Sequence, residues 1–161
     1  MSAELIHSRQ FAENFKKIRV NMAAMDAIDI KVGFPKGEKI GNKSKKGSAH
    51  PEYQNMGEVA YIAMVNDAKR PFLAAGIAAG ARKIKAAQFK AVSDVIDGRS
   101  PIDASGMVGE VAVSCVKGYI TTGSFLDISA KTKKRKRSTK PLIDTSQMRN
   151  SVTFALSKGS K

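Results

Sequence analysis

The stretch AIDIKVGF at residues 27–34 alternates apolar and polar side chains and is followed by Pro35. Strict alternation is typical of a half-buried β-strand, because successive side chains point to opposite faces of a sheet. A second alternation, at residues 151–156, places Val152, Phe154 and Leu156 on one face. We therefore predict two antiparallel strands that pair with each other.

The rest of the chain favours helices. Four segments have apolar residues at helical spacing. These segments are residues 8–25, 56–65, 72–96 and 107–122. The last segment also alternates like a strand, and we favour the helix. The fold class predicted from these patterns is α+β, with about four helices packed to one side of a small antiparallel sheet and all 161 residues in a single domain.

Several single residues predict where helices begin, end or approach each other. Asn66-Asp67 suits a turn after the second helix, Pro71 suits the first position of the third, and Gly98 suits its end. Gly76 and Gly80 permit close approach of another backbone, for which helix packing within the chain is favoured over contact between subunits. Asp127 or Ser129 can cap a further short helix, which would have residues 133–137 at its C-terminal end.

The charge of the chain is strongly positive and unevenly distributed. Lys and Arg total 28 against 14 Asp and Glu, for a net charge of +14. Residues 131–140 form a basic segment with seven cations and no acid, and residues 36–46 carry four further net positive charges. The second window lies within residues 36–55, whose Gly, Ser and Lys content predicts a mobile basic loop or arm. Such surfaces attract polyanions or acidic proteins.

The composition argues against most kinds of catalytic or metal site. His7, His50 and Cys115 lie in separate segments without ligand spacing, which argues against a bound metal. We find no nucleophile motif and no phosphate-binding loop, so we expect neither an enzyme nor a cofactor. Residues 1–10 lack the apolar run of a signal peptide, and no run reaches the roughly 20 apolar residues of a membrane span, so we expect a cytoplasmic start and no membrane partner.

The basic segment itself leaves two partners open. Its lysines and arginines can neutralise nucleic-acid phosphates, which gives binding that is sensitive to salt but not specific for sequence. The segment has only Phe125 nearby and the chain has no Trp, so stacking on bases is not expected. Contact with an acidic protein explains the same residues equally well.

Three stretches resemble the neck and tail-completion (head-tail joining) proteins of long-tailed bacteriophages. They are RPFL at residues 70–73, YITTGSF at 119–125 and KPLIDTSQMRNSVTF at 140–154. Residues 32–35 and 58–67 are similar to the N-terminal half of that family, so the resemblance extends over most of residues 27–157. Family members usually carry glycine where this chain has Ser146, so the turn geometry there is expected to differ.

The resemblance implies a virion structural protein of the head-tail connector, synthesised in the host cytoplasm and without catalytic activity. It implies a ring, most simply a hexamer, around the DNA channel, between a portal-side adaptor or head-closure protein and the tail terminator or tail tube protein. A tail terminator that caps the tail tube and a small cytoplasmic DNA-binding protein are the alternatives.

The candidate site residues fall into two groups. Those expected to contact channel DNA or an acidic partner are Lys131, Lys133, Lys134, Arg135, Lys136, Arg137 and Lys140. Those expected to contact another subunit or a neighbouring ring are Lys43, Lys45, Lys46, Arg70, Pro71, Phe72, Pro141, Asp144, Thr145 and Arg149.

Overall fold

The computed structural model describes residues 3–34, 56–135, 138–143 and 146–159. Within these ranges the elements follow in the order α1 (Ala3–Asp26), β1 (Ile28–Gly33), α2 (Met56–Lys69), α3 (Leu73–Ile96), α4 (Pro101–Thr122), α5 (Ala130–Arg135), α6 (Gln147–Asn150) and β2 (Thr153–Lys158). The α+β class is confirmed. The described ranges contain six helices rather than about four, because α5 and α6 are short additional helices of six and four residues.

The two predicted strands pair as expected. β1 and β2 are antiparallel, with Ile28 opposite Lys158 and Gly33 opposite Thr153. The second strand begins two residues later than predicted and continues to Lys158. Ile30 and Val32 pack against the two buried clusters described below, whereas Asp29 and Lys31 are exposed. One face of the sheet therefore covers the core.

The centre of the fold is an antiparallel pair of long helices, α3 and α4. A Cβ atom added at Gly80 would lie 2.5 Å from both Cβ and Sγ of Cys115, and one added at Gly76 would lie 2.9 Å from the Cα of Val116. Because Gly76 and Gly80 of α3 have no side chains, α4 can approach α3 closely. The favoured interpretation, helix packing within the chain, is confirmed.

The α4 helix also settles the ambiguous segment at residues 107–122. It is helical throughout and begins earlier than expected, with Pro101 in its first turn, where the missing N–H costs no hydrogen bond. The opposite face of α4 lies against the sheet, where Gly109 faces the Phe154 ring. A central helix with neighbours on both sides needs small residues on both faces, and this produces the mixed periodicity of its sequence.

The core consists of two clusters along this central layer. One lies toward the N-terminal end of α3 and contains Val59, Ala63, Phe72, Val116, Ile120, Leu142, Met148 and Val152. The other lies toward the α3–α4 turn and contains Ala91, Val95, Ala104 and Val108, with Met22 and Met25 of α1 packed against it. The first cluster joins α2, α3 and α4 to the C-terminal segment of the chain.

The junction between α2 and α3 differs from the prediction. Helix α2 continues to Lys69, three residues from Asn66, whose side-chain amide donates to the carbonyl oxygen of Ile62 at 2.8 Å. Asp67 Oδ1 accepts the backbone N–H groups of Phe72 and Leu73 at 2.7 and 3.0 Å. Asp67 therefore satisfies free N–H groups at the start of α3, and Pro71 precedes that helix rather than opening it.

Only part of the apolar face of α1 is covered by the described residues of the chain. The apolar side of the helix is partly buried at its C-terminal end, where Met22 and Met25 pack against the second cluster. Phe11 and Phe15 stack on each other at 6.4 Å between ring centroids but are 73% and 58% exposed. The amphipathic spacing of these phenylalanines is helical as predicted, but no described element of the chain covers them enough to bury them.

Ser146 provides a stability prediction. Its φ of 62° and ψ of 2° place it in the left-handed region, which glycine adopts without the steric cost that a Cβ atom imposes. We expect Ser146→Gly to raise the free energy of unfolding by about 1 kcal/mol, as measured by chemical denaturation. The control is Ser114→Gly in α4, where glycine should destabilise the helix. A destabilised Ser146→Gly variant would contradict this account of the turn.

Candidate interaction surface at the C-terminal end of α4

Three stretches that are distant in sequence meet at the C-terminal end of α4. Leu142 and Met148 are buried in the same cluster as Phe72 and Ile120. Beside them, the rings of Tyr119 and Phe125 meet edge to face at 5.4 Å between centroids. The described parts of residues 70–73, 119–125 and 140–154 therefore pack into one structural unit.

Arg70 connects two of these stretches. Its Nε donates to the carbonyl oxygen of Leu126 at 2.8 Å, and its Nη2 donates to that of Asp127 at 3.2 Å. A guanidinium group can donate in two directions from one plane, which suits it to fixing a loop backbone. The loop so fixed presents the Leu126 side chain to solvent, with 75% of its surface exposed.

The basic segment continues from this loop as helix α5. Ser129 Oγ accepts the backbone N–H of Thr132 at 3.2 Å, so of the two proposed caps Ser129 occupies the capping position. Lys133 pairs with the Asp127 carboxylate, which is 69% exposed. Lys131 and Lys134 are exposed and form no ion pair with any residue in the described ranges.

Two further cations extend the same surface. Lys140 Nζ donates to the carbonyl oxygen of Thr121 at 2.9 Å, and Arg149 Nη1 donates to Thr121 Oγ1 at 3.4 Å. Both charges are thereby held beside the last turn of α4, where cations complement the helix dipole. We call the whole surface the basic end; it comprises Arg70, Leu126, Lys131, Lys133, Lys134, Lys140 and Arg149.

Of the predicted neighbour contacts, Arg70 and Arg149 belong to the basic end. The others divide into three groups. Phe72 is a correction: its side chain is fully buried, because it fills the first cluster and meets Phe34 edge to face at 6.5 Å. Pro71 is exposed and Pro141 is half-buried in a turn, so both lie at the surface near the basic end. The third group lies outside the described residues and consists of Lys43, Lys45, Lys46, Asp144 and Thr145. The predicted arm at residues 36–55 and two residues of the basic segment, Lys136 and Arg137, also lie outside them.

The Asp127 carboxyl provides a pH prediction. The hydrogen bond from Lys133 lowers its pKa below the usual value, with further lowering by the N–H of Ile128 and the nearby Arg70 charge. The stabilisation from this pair is therefore present at neutral pH and is lost as the pH falls through the depressed pKa. We expect an NMR titration of Lys133→Gln to show the Asp127 pKa shifted upward, whereas Lys131→Gln leaves it unchanged. Equal pKa values in wild type and Lys133→Gln would refute the pairing.

Sequence reasoning missed two residues that shape this surface. Asp67 was interpreted as a turn residue, and Arg70 as a contact to a neighbour, yet both bind backbone groups of their own chain. The available signal was the position of Asp67 a few residues before a helix that lacks its own polar cap, since Phe72 occupies the capping position. Nothing local in the sequence indicates that Arg70 reaches residues 56 positions away.

Neither a metal site nor a membrane-spanning helix is found among the described residues. No group of three or more histidine, cysteine, aspartate or glutamate residues could hold a metal ion there. Among the helices in the described ranges, none combines the length and apolar content needed to cross a membrane.

No protein-family model, no curated protein and no solved structure matches the chain significantly.

Proposed function

We propose that this chain is a virion structural protein of the head-tail connector, acting in the neck or in tail completion. In this proposal, copies assemble as a ring, most simply a hexamer, around the DNA channel between a portal-side adaptor or head-closure protein and the tail terminator or tail tube protein. The proposal includes no reaction and no cofactor.

The observation that supports the proposal most is the convergence at the C-terminal end of α4. The resemblance is carried by three stretches that are far apart in the sequence, residues 70–73, 119–125 and 140–154. They nevertheless contact one another through the buried side chains of Phe72, Ile120 and Met148. A resemblance spread over the chain therefore corresponds to one folded unit. That unit carries the exposed cations of the basic end.

The positive charge of the chain suits a ring that surrounds DNA or contacts an acidic neighbour. A connector surrounds a DNA channel, and exposed lysines such as Lys131 and Lys134 would face DNA phosphates or an acidic neighbouring ring. Because bases are not read, the contact would tolerate any packaged sequence.

The test is electron microscopy of a lysate from a phage whose copy of this gene carries a nonsense codon in place of the Gln10 codon. Filled heads beside separate tails of normal length are the expected result. Overlong tails would assign the chain to the tail terminator instead. Intact virions in normal number would refute both structural roles.

A further inference from the structure

A second charged surface lies at the opposite end of the α3–α4 pair. Residues 91–116 contain four acidic residues and only one basic residue, Arg99, within a chain of net charge +14. Asp94 is neutralised locally, by Lys90 at 3.0 Å and by Arg99 at 3.7 Å. Asp97, Asp103 and Glu110 are exposed and form no ion pair with any described residue.

Exposed apolar side chains accompany these carboxylates. Ile96 is 49% exposed beside Asp97, and Ile102 is 62% exposed beside Asp103. We call these four residues the acidic end; they lie around the α3–α4 turn. The basic end has the complementary composition, with Leu126 75% exposed among cations. Each surface thus combines a predominant sign of charge with an exposed apolar side chain. Each also holds one paired charge of the opposite sign, Arg99 near the acidic end and Asp127 near the basic end.

The two ends of one molecule cannot meet each other. Helix α4 has 22 residues and is therefore about 33 Å long, with the acidic end at its N-terminus and the basic end at its C-terminus. The acidic end lies at the turn between α3 and α4, and Lys140 and Arg149 of the basic end are held at the other end of α4 by their hydrogen bonds to Thr121. A contact between acidic and basic ends therefore requires two copies of the chain.

We infer that the acidic end of one copy binds the basic end of the next copy. This inference deepens the proposed function, because it names the surfaces through which ring subunits would meet. Net charge of +14 makes copies repel in most orientations, so an approach that brings residues 96–103 against the basic end is the favoured one. The two surfaces are unlike, which makes the contact heterologous and able to close into a ring or extend into a filament.

Sedimentation velocity of the purified full chain tests the inference. We expect wild type to form species larger than a monomer between about 1 and about 100 µM, and added salt to weaken them because it screens charge. Two variants each remove one surface: Ile102→Ser with Asp103→Asn, and Leu126→Ser with Lys134→Gln. Each variant should self-associate at least about tenfold more weakly than wild type.

Mixing the two variants gives the sharper result. Each retains the surface that the other lacks, so the mixture should form a heterodimer and nothing larger. The matched control is Lys16→Gln with Lys17→Gln, which removes exposed charge from α1 and should leave assembly unchanged. Circular dichroism spectra that match wild type show that the variants are folded.

Three outcomes would overturn the inference. They are a monomeric wild type over the whole range, assembly that neither variant weakens, and a mixture without heterodimer. A monomeric wild type that binds duplex DNA, and loses this binding in the Lys134→Gln variant, would overturn it and assign the basic end to phosphate. None of these outcomes depends on the lysate experiment, so self-assembly and the virion role can fail separately.

Discussion

Gly80→Ala is expected to lower the free energy of unfolding by about 2 kcal/mol, although alanine is the better helix former by about 1 kcal/mol. The added methyl group would lie 2.5 Å from Cys115 Cβ, an atom attached directly to the α4 backbone. No rotamer change removes that overlap, so α3 and α4 must separate and the core between them loosens. Urea denaturation followed by circular dichroism measures the change.

The control for this prediction is Gly118→Ala on α4. A Cβ at Gly118 meets no atom within 4 Å, so this substitution should be neutral or slightly stabilising. Cys115→Gly in the Gly80→Ala background removes the atoms that the new methyl group overlaps. It should restore part of the lost stability once the destabilising effect of glycine within the α4 helix is allowed for. If Gly80→Ala and Gly118→Ala behave alike, close packing of the two helices is not what selects glycine at position 80.

Phe72→Ala is the substitution expected to cost most, about 3–5 kcal/mol. The ring is fully buried in the first cluster, and its loss leaves a cavity beneath the C-terminal segment that Leu142 and Met148 anchor. For a domain of this size, such a loss removes a large part of the total stability. Thermal denaturation should therefore show a variant that is largely unfolded or has a much lower Tm.

Phe89→Ala is the matched control for Phe72→Ala. Phe89 is 66% exposed on α3, and the Lys85 ammonium lies 5.9 Å from the centre of its ring. Its removal should cost less than about 1 kcal/mol. Comparable losses in the two variants would mean that the cluster around Phe72 does not dominate stability.

The sequence predicts most of the fold because the period of the apolar residues reflects local geometry. The alternation at residues 27–34 is a strand signal that no helix can produce with one face buried. The α1 pattern is equally clear, yet Phe11 remains exposed, because periodicity indicates which face is apolar and not what covers it. Likewise, the mixed pattern of α4 becomes interpretable only when α3 and the sheet are seen on its two sides.

The sequence predicts the positive charge of the candidate site but not the tertiary contacts that form it. A count of charges identifies Lys131 and Lys134 as surface cations, since so dense a run has no partners nearby in sequence. The links made by Asp67 and Arg70 depend on tertiary structure, and so does the burial of Phe72. The separation of acidic and basic ends follows from the length of α4, and a charge count of residues 91–116 would have indicated it.

The most direct measurement of the central claim is complementation in vitro. Purified chain is added to the lysate of the phage with the nonsense codon at position 10, and infectious particles are counted before and after. If the chain joins heads to tails, wild type and the folded Phe89→Ala variant should both raise infectivity, and unfolded Phe72→Ala should not. Infectivity that stays at the level of the untreated lysate after folded wild-type protein is added would contradict a head-tail joining role.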